Sequence, residues 1–374
     1  MSADGLVVAF TSTATNLVPG ITVGDSHGYV RNLVTGVTTL VDQTPAGTPS
    51  SRGVIEMKLA ANGRHVVFTS LADDLVAGDT NGSMDVFVRD LQTGYTTRAN
   101  VLPGGVQMPN TGNASLSVHP TISANGEYVA FAYPYDLLGN GEPLAVNGVY
   151  LRDVEASSTR LAVASTSFYA GNPVLSNDAS RIVYVYALGN QNVIGSYDVR
   201  SGTNSTLFTV DSTVFPQGVG GDFSLSATGR FVAFTIRSNA WIPGAAAAFN
   251  QVGVVDHLNP SVLTIASTGV NGIGDGHSGY AQISGDGRYV LFGSQSPGLA
   301  GDPAATVRTY LMVRDLVAAT TAVASRRPNG TPVWTSGHGV HALSANGNVL
   351  TMVADRFDMT GDPGGAQVYA VPRP

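Results

Sequence analysis

One phrase returns seven times along the chain, and it constrains the fold more than any other feature. It reads SADGLVVAF from Ser2, AANGRHVVF from Ala60, SANGEYVAF from Ser123, SNDASRIVY from Ser176, SATGRFVAF from Ser226, SGDGRYVLF from Ser284 and SANGNVLTM from Ser344. The turn position is held by Gly5, Gly63, Gly126, Ala179, Gly229, Gly287 and Gly347, 50 to 63 residues apart. Asn-Gly or Asp-Gly supplies the positive φ that a tight hairpin turn needs. An apolar residue before the turn (Leu59, Ile122, Leu175, Leu225, Ile283, Leu343) ends one strand, and the alternating run after it begins a second. A third strand follows a variable loop, as in DVFVRDL, GVYLRDV and YLMVRDL, and a fourth follows a short turn, as in YTTRAN, STRLAV and TTAVAS.

Four short antiparallel strands repeated at a near-constant period predict an all-β chain: a single seven-bladed β-propeller of four-stranded blades over residues 1–374. The units are expected at about 1–42, 43–100, 101–163, 164–210, 211–267, 268–325 and 326–374. A six-bladed ring, with the first unit absorbed into closure, is the alternative. The first unit lacks its inner strand and the last its outer one. The S-x-[DN]-G-R-x-V-x-F phrase, with TNLVPG, GDTNG and DVFVRDLQTG, resembles the TolB-like, PD40-type propeller repeat of bacterial secreted and periplasmic proteins. That resemblance implies the fold and an extracellular or periplasmic location, with a cytoplasmic one left open. It does not choose a function, because such propellers serve as binding scaffolds, accessory domains and enzymes.

Composition narrows the chemistry. Cysteine is absent, so disulfides, thiolate catalysis and Cys-based zinc sites are excluded. A formal charge of −7 argues against nucleic acid, whose binding draws on neutralising phosphates. No apolar run approaches a membrane span. Lys58 is the sole lysine. G-x-S-x-G and phosphate-binding fingerprints do not occur.

In an up-and-down blade, the first-to-second and third-to-fourth turns share one end, and the remaining loops share the other. The first end is uniform in all copies and the second varies, which marks the variable end as the functional face. Asp90, Asp153, Asp256 and Asp315 belong to the uniform end and are expected to cap turns. Arg89, Arg152 and Arg314 beside them are expected to be turn or inter-blade partners.

Two candidate sites remain. Asp79, Asn81 and Asp85 in GDTNGSMDVFVRDL are spaced like the opening of a calcium loop, yet the acidic residue that completes such a loop is missing and the other copies do not keep it. A plain turn is the favoured reading. At the variable end, four residues before the phrase, stand Glu56, His119, Asn172, Asp222, Tyr280 and Val340, with Arg52, Tyr169, His277, Trp334, His338 and His341 nearby. If the first strands are radial, these side chains converge on one funnel mouth. His119, His277, Tyr280, Asp222 and Glu56 form the catalytic candidates. Asn172, Trp334, His338, His341, Trp241 and Tyr135 form the binding candidates. Three chemistries fit: a transition metal held by the His residues, a metal-free His/Tyr acid–base pair, or recognition of a small-molecule, glycan or peptide ligand with the aromatic residues as stacking platforms. Recognition is the preferred expectation. A polysaccharide lyase or hydrolase is the rival, a protein partner is a further candidate, and water alone filling the opening is the bland alternative.

Overall fold

In the computed structural model the described residues are 1–22, 24–108, 118–133, 148–164, 170–189, 191–211, 223–237, 249–301, 308–327, 329–335, 341–355 and 366–374. The fold is a seven-bladed β-propeller, nearly all-β, built of antiparallel sheets in simple sequential order. Blade 1 pairs Val7–Ser12, His27–Asn32 and Thr38–Leu40. Blade 2 pairs Glu56–Leu59, His65–Ser70, Asp85–Asp90 and Thr96–Arg98. Blade 3 pairs Thr121–Ile122, Tyr128–Tyr133, Gly148–Asp153 and Ser158–Val163. Blade 4 holds Ala170–Leu175, Arg181–Leu188, Gln191–Asp198 and Thr203–Asp211. Blade 5 holds Phe223–Leu225, Phe231–Arg237, Asn250–Asp256 and Asn259–Ile265. Blade 6 holds Ser278–Ile283, Tyr289–Ser294, Tyr310–Asp315 and Thr320–Val323. Blade 7 holds His341–Leu343, Val349–Asp355 and Ala366–Pro372. Among the described residues the first and last blades are three-stranded.

The chain divides into two compact units, residues 1–187 with 195–205, and residues 188–194 with 206–374. In the first, apolar clusters sit between successive blades. One joins Val30 and Val41 to Phe68 and Phe87, and the next joins Val67 and Val88 to Phe131 and Tyr150. In the second unit, Val252 and Val254 pack with Phe292 and Met312, and Leu291 and Leu311 pack with Leu350 and Met352. Blades 2 and 6 are thus covered on both faces, which is why their middle strands are apolar in both registers: Asp85–Asp90 and Tyr289–Ser294 are buried almost throughout. The phrase's last aromatic is the anchor. Phe68, Phe131, Phe234 and Phe292 are fully buried, each worth about 1.5–3 kcal/mol of transfer free energy.

The uniform end has a shared hydrogen-bond grammar. The phrase's Ser accepts the amide five residues on, as in Tyr128 N to Ser123 Oγ at 3.0 Å and Val349 N to Ser344 Oγ at 3.0 Å. It also donates to the Asx side chain two residues on, as in Ser123 to Asn125 and Ser176 to Asp178, both 2.7 Å. The turns then link blade to blade within each unit: Asn62 N to Ala124 O at 2.9 Å, Ala124 N to Asn177 O at 2.8 Å, and Gly285 N to Ala345 O at 2.7 Å. Glycine is required twice over at Gly126 and Gly287. Each has positive φ, and a Cβ there would strike His65 or Phe231 of the preceding blade.

Asp90, Asp256 and Asp315 accept amide bonds of the following turn and grip the arginine after the hairpin Gly of their own blade. The pairs are Arg64–Asp90, Arg230–Asp256 and Arg288–Asp315, at 2.6, 2.8 and 2.7 Å. Asp153 caps its turn through Ala156 N. These carboxylates are structural members of the repeat.

Candidate functional site

The first strands of the blades carry a repeated backbone distortion. His119, Asn172 and Tyr280, which occupy the same place in their repeats, have φ of 39, 50 and 58°. Left-handed backbone is unfavourable for a side chain with a Cβ by roughly 1–2 kcal/mol. In blades 4 and 6 the distortion falls at register shifts between Gly171 and Val174 and between Gly279 and Gln282. Such bulges re-aim a side chain and gather at functional sites. Asp222, at the same repeat position, lies outside the described residues, as do Val340, Tyr169, His338, Trp241 and Tyr135.

In the first unit this geometry brings Glu56 and His119 together. His119 Nδ1 stands 3.2 Å from Glu56 Oε1, with both side chains about one-third exposed. A carboxylate only accepts, so Nδ1 carries the proton in this contact and Nε2 of a neutral ring is left with its lone pair. Burial raises the Glu56 carboxyl, but the His119 hydrogen bond and charge, with the charge of Lys58, outweigh it and hold the group below its usual value. Lys58 is two residues from Glu56 on the same strand, so both side chains share a face. It stays accessible to water yet is crowded by protein, and that crowding lowers its ammonium pKa, with Glu56 opposing. Sequence reasoning noted Lys58 only as a compositional curiosity. Its i+2 relation to Glu56 was the signal that could have placed it in the site.

In the second unit the candidates take separate partners. His341 Nε2 donates to the Tyr280 carbonyl at 2.6 Å, and burial pushes its imidazole down to about 4, so the ring is neutral with Nδ1 as the acceptor. Tyr280 N donates to Thr235 Oγ1 at 3.1 Å. His277 turns elsewhere: its Nδ1 accepts the Asn250 amide at 3.1 Å and its ring meets Phe249 edge-on at 5.1 Å. Trp334 is 41% exposed and carries the Arg308 guanidinium over its ring at 5.5 Å. Of the described candidates, then, the structure pairs Glu56 with His119 and His341 with the Tyr280 backbone, and gives His277 a clamp on the start of a strand.

The Asp79 loop is built around a guanidinium. Arg98 Nη1 lies 3.1 Å from both Asp79 Oδ1 and Asp85 Oδ2. Asn100 donates to Asp85 at 2.6 Å, Gln107 to Asp79 at 2.7 Å, and Asn81 bonds Asp85 and the Met108 carbonyl. The oxygens a calcium ion would need are thus engaged by three amides and an internal cation. Burial and the Asp85 charge push Asp79 up to about 6, against the pull of Arg98 and Gln107. Among the described residues no group of three or more His, Asp or Glu is placed to hold a metal.

The geometry can do two things. A carboxylate-oriented imidazole beside a lowered ammonium can accept, donate and move protons. The same three groups, with His119 on left-handed backbone, can also orient a polar ligand by hydrogen bonds. No family model matches the chain, and no curated protein matches it. Its fold is similar to solved propeller structures. An oligogalacturonate lyase in complex with manganese aligns with 100% of this chain and 87% of its own, at 11% identity and TM-score 0.60. The oligogalacturonate lyase from Vibrio parahaemolyticus aligns over 100% and 88%, at 11% identity and TM-score 0.55. TolB from Acinetobacter baumannii aligns over 98% and 79%, at 12% identity and TM-score 0.49. At these identities the likeness concerns the fold.

Proposed function

We propose that the protein is an exported bacterial β-propeller that binds a glycan or peptide ligand at the variable-loop ends of its first strands, with Glu56, Lys58 and His119 as the recognition groups and Asn172 beside them in the repeat. The observation that carries this reading is the left-handed backbone at His119 and Asn172. Strain of that kind persists where the surroundings hold a side chain in an orientation that the strand alone does not provide. The separate engagements of His119, His277 and His341 support recognition over a shared metal, because each imidazole already serves a different partner. An extracellular or periplasmic location belongs to the same proposal and rests on the repeat's resemblance to TolB-like sequences.

A second reading, acid–base cleavage of an acidic polysaccharide, is favoured by the Glu56–His119 contact and by the lyase structures whose fold the chain shares. In it His119 Nε2 is the base, Glu56 holds the ring, and Lys58 faces the substrate's carboxylate.

Calorimetric titration with oligogalacturonides, neutral oligosaccharides and short peptides tests both. Binding of one class is expected, weakened at least about tenfold by Glu56→Gln and by His119→Ala. Lys58→Met should weaken an acidic ligand selectively. No binding in any class, or equal binding by both variants, would defeat the recognition reading. Release of an unsaturated product from oligogalacturonides, lost in His119→Ala, would move the protein to the enzymatic one.

A further inference from the structure

The arginine that precedes Asp90, Asp153 and Asp315 has a repeated job, and one copy is left without its usual inter-blade partner. In blade 2, Arg89 reaches back to blade 1: Nη2 to Gln43 Oε1 at 2.7 Å and Nη1 to the Gln43 carbonyl at 3.4 Å, with Thr96 Oγ1 of its own blade at 3.0 Å. In blade 6, Arg314 bonds the Thr268 carbonyl at 3.2 Å and its own Thr321 at 3.1 Å. Blade 3's Arg152 keeps the own-blade bond, Nη1 to Thr159 Oγ1 at 3.1 Å. No second partner for it stands among the described residues.

A substitution within the repeat accompanies this loss. The positions equivalent to Asp42 and Gln43 in blade 1 are Asn100 and Val101 in blade 2. The equivalence is set by matching polar bonds: Gly28 N to Asp42 Oδ1 and Val86 N to Asn100 Oδ1, both 2.9 Å. The bridges Gln43–Pro49 and Val101–Gln107 follow at the same offset. The negative charge and the amide that compensate Arg89 are therefore replaced by a neutral amide and an apolar side chain. Arg152 is 94% buried, given its 6% exposure. A guanidinium in that position with one hydroxyl partner is expensive unless a further acceptor reaches it.

A cavity of about 390 Å³ opens where that acceptor would be. Arg152 forms part of its wall with Thr96, Thr97, Ser157, the apolar Val101 and Val154, and the exposed Tyr95. Arg98 also borders it, but its guanidinium is held by Asp79 and Asp85, which do not line the cavity. The volume lies within the range of small-molecule sites.

We propose that this groove between blades 2 and 3 is a carboxylate-binding site, in which the acid group of a small molecule takes the place on Arg152 that Gln43 takes on Arg89. The ligand is a small organic acid with one apolar face, seated against Val101, Val154 and Tyr95. The site is separate from the Glu56–His119 pair and does not depend on it. Arginine suits this task because its planar fork meets a carboxylate in two parallel bonds.

The test is titration of the full chain with benzoate and with galacturonate, the neutral amide benzamide serving as control. The two acids separate an aromatic body from a sugar body. At least one acid should bind, and benzamide at least about tenfold more weakly than benzoate if the aromatic acid is the ligand. Arg152→Gln should remove binding. Val101→Gln is the sharper variant: it copies blade 1, gives Arg152 an internal partner and fills the groove. It is expected to unfold at the wild-type temperature or above and to lose at least about tenfold in affinity. Glu56→Gln should leave benzoate binding unchanged, which separates this groove from the Glu56–His119 site. Failure of both acids to bind the wild-type chain, or undiminished binding by Val101→Gln, would overturn the proposal.

Discussion

At the scale of single residues, the repeat shows which positions tolerate change and which do not. The hairpin turn needs positive φ, and in six copies Gly meets that need. Ala179 meets it at φ 55° with a Cβ present. Ala179→Gly should therefore raise stability by about 0.5–1 kcal/mol, the relief of left-handed strain less the greater chain entropy of Gly. Gly126→Ala should do the reverse and cost more, since a Cβ there also strikes His65. Equilibrium urea unfolding of the two variants decides the matter, and equal midpoints would remove the strain argument. His119, Asn172 and Tyr280 carry comparable strain at the other end of the blade, where no turn demands it. Positive φ at the turn was legible from Asn-Gly and Asp-Gly pairs. At the first strands it was less so: Asn and His adopt a left-handed backbone more readily than most residues, but nothing in their identity, or in that of a Tyr, requires it.

At the scale of the element, the Asp79 loop shows why spacing misleads. Asp79, Asn81 and Asp85 sit at ligand-like intervals, yet Arg98, on the fourth strand of the same blade, supplies the cation. Calcium at millimolar concentration should leave the melting temperature of the wild-type chain unchanged, and a rise that grows with concentration would restore the metal reading. Arg98→Gln leaves two buried carboxylates without their counter-charge and is expected to destabilise by about 3–5 kcal/mol at neutral pH. The loss should shrink as pH falls toward 6, because without Arg98 the Asp79 carboxyl takes up its proton at a higher pH than in the wild-type chain. Thermal melts of that variant across pH are the measurement. The role of Arg98 was hidden from the sequence because the Asp79 loop and the fourth strand meet only once the blade is folded. The turn arginines were more legible: Asp90 and Asp256 each follow their partners Arg64 and Arg230 by 26 residues, and Asp315 follows Arg288 by 27.

At the scale of the whole molecule, acid stability sums these local devices. Asp4, Asp90, Asp178, Asp198, Asp256, Asp275 and Asp315 all have lowered pKa values, mostly through turn amides, hydroxyls and arginines, with Asp315 at about 2. The unfolded chain binds more protons there, so the stability these groups contribute is present above about pH 4 and lost as pH falls toward 2. His341, at about 4, removes stability as pH falls below its unfolded value near 6.5. Asp79, raised to about 6, acts oppositely, because the folded form holds the extra proton between about pH 4 and 6. Unfolding free energy followed by denaturant titration should therefore be nearly level from pH 6.5 to 4 and drop below that. In Asp79→Asn the decline should begin near pH 6.5 instead. An unchanged profile in that variant would remove Asp79 from the balance. The number of blades, their strands and the uniform turns were all readable in advance, because hairpin chemistry is local and the repeat states it seven times. What the sequence by itself determined was this periodic scaffold. The pairing of Glu56 with His119, the capture of His277 by Asn250 and the open face of Arg152 were decided only by tertiary structure. Each depends on contacts between strands or blades far apart in the chain, and on departures from the repeat whose consequences appear only when a neighbour is in place.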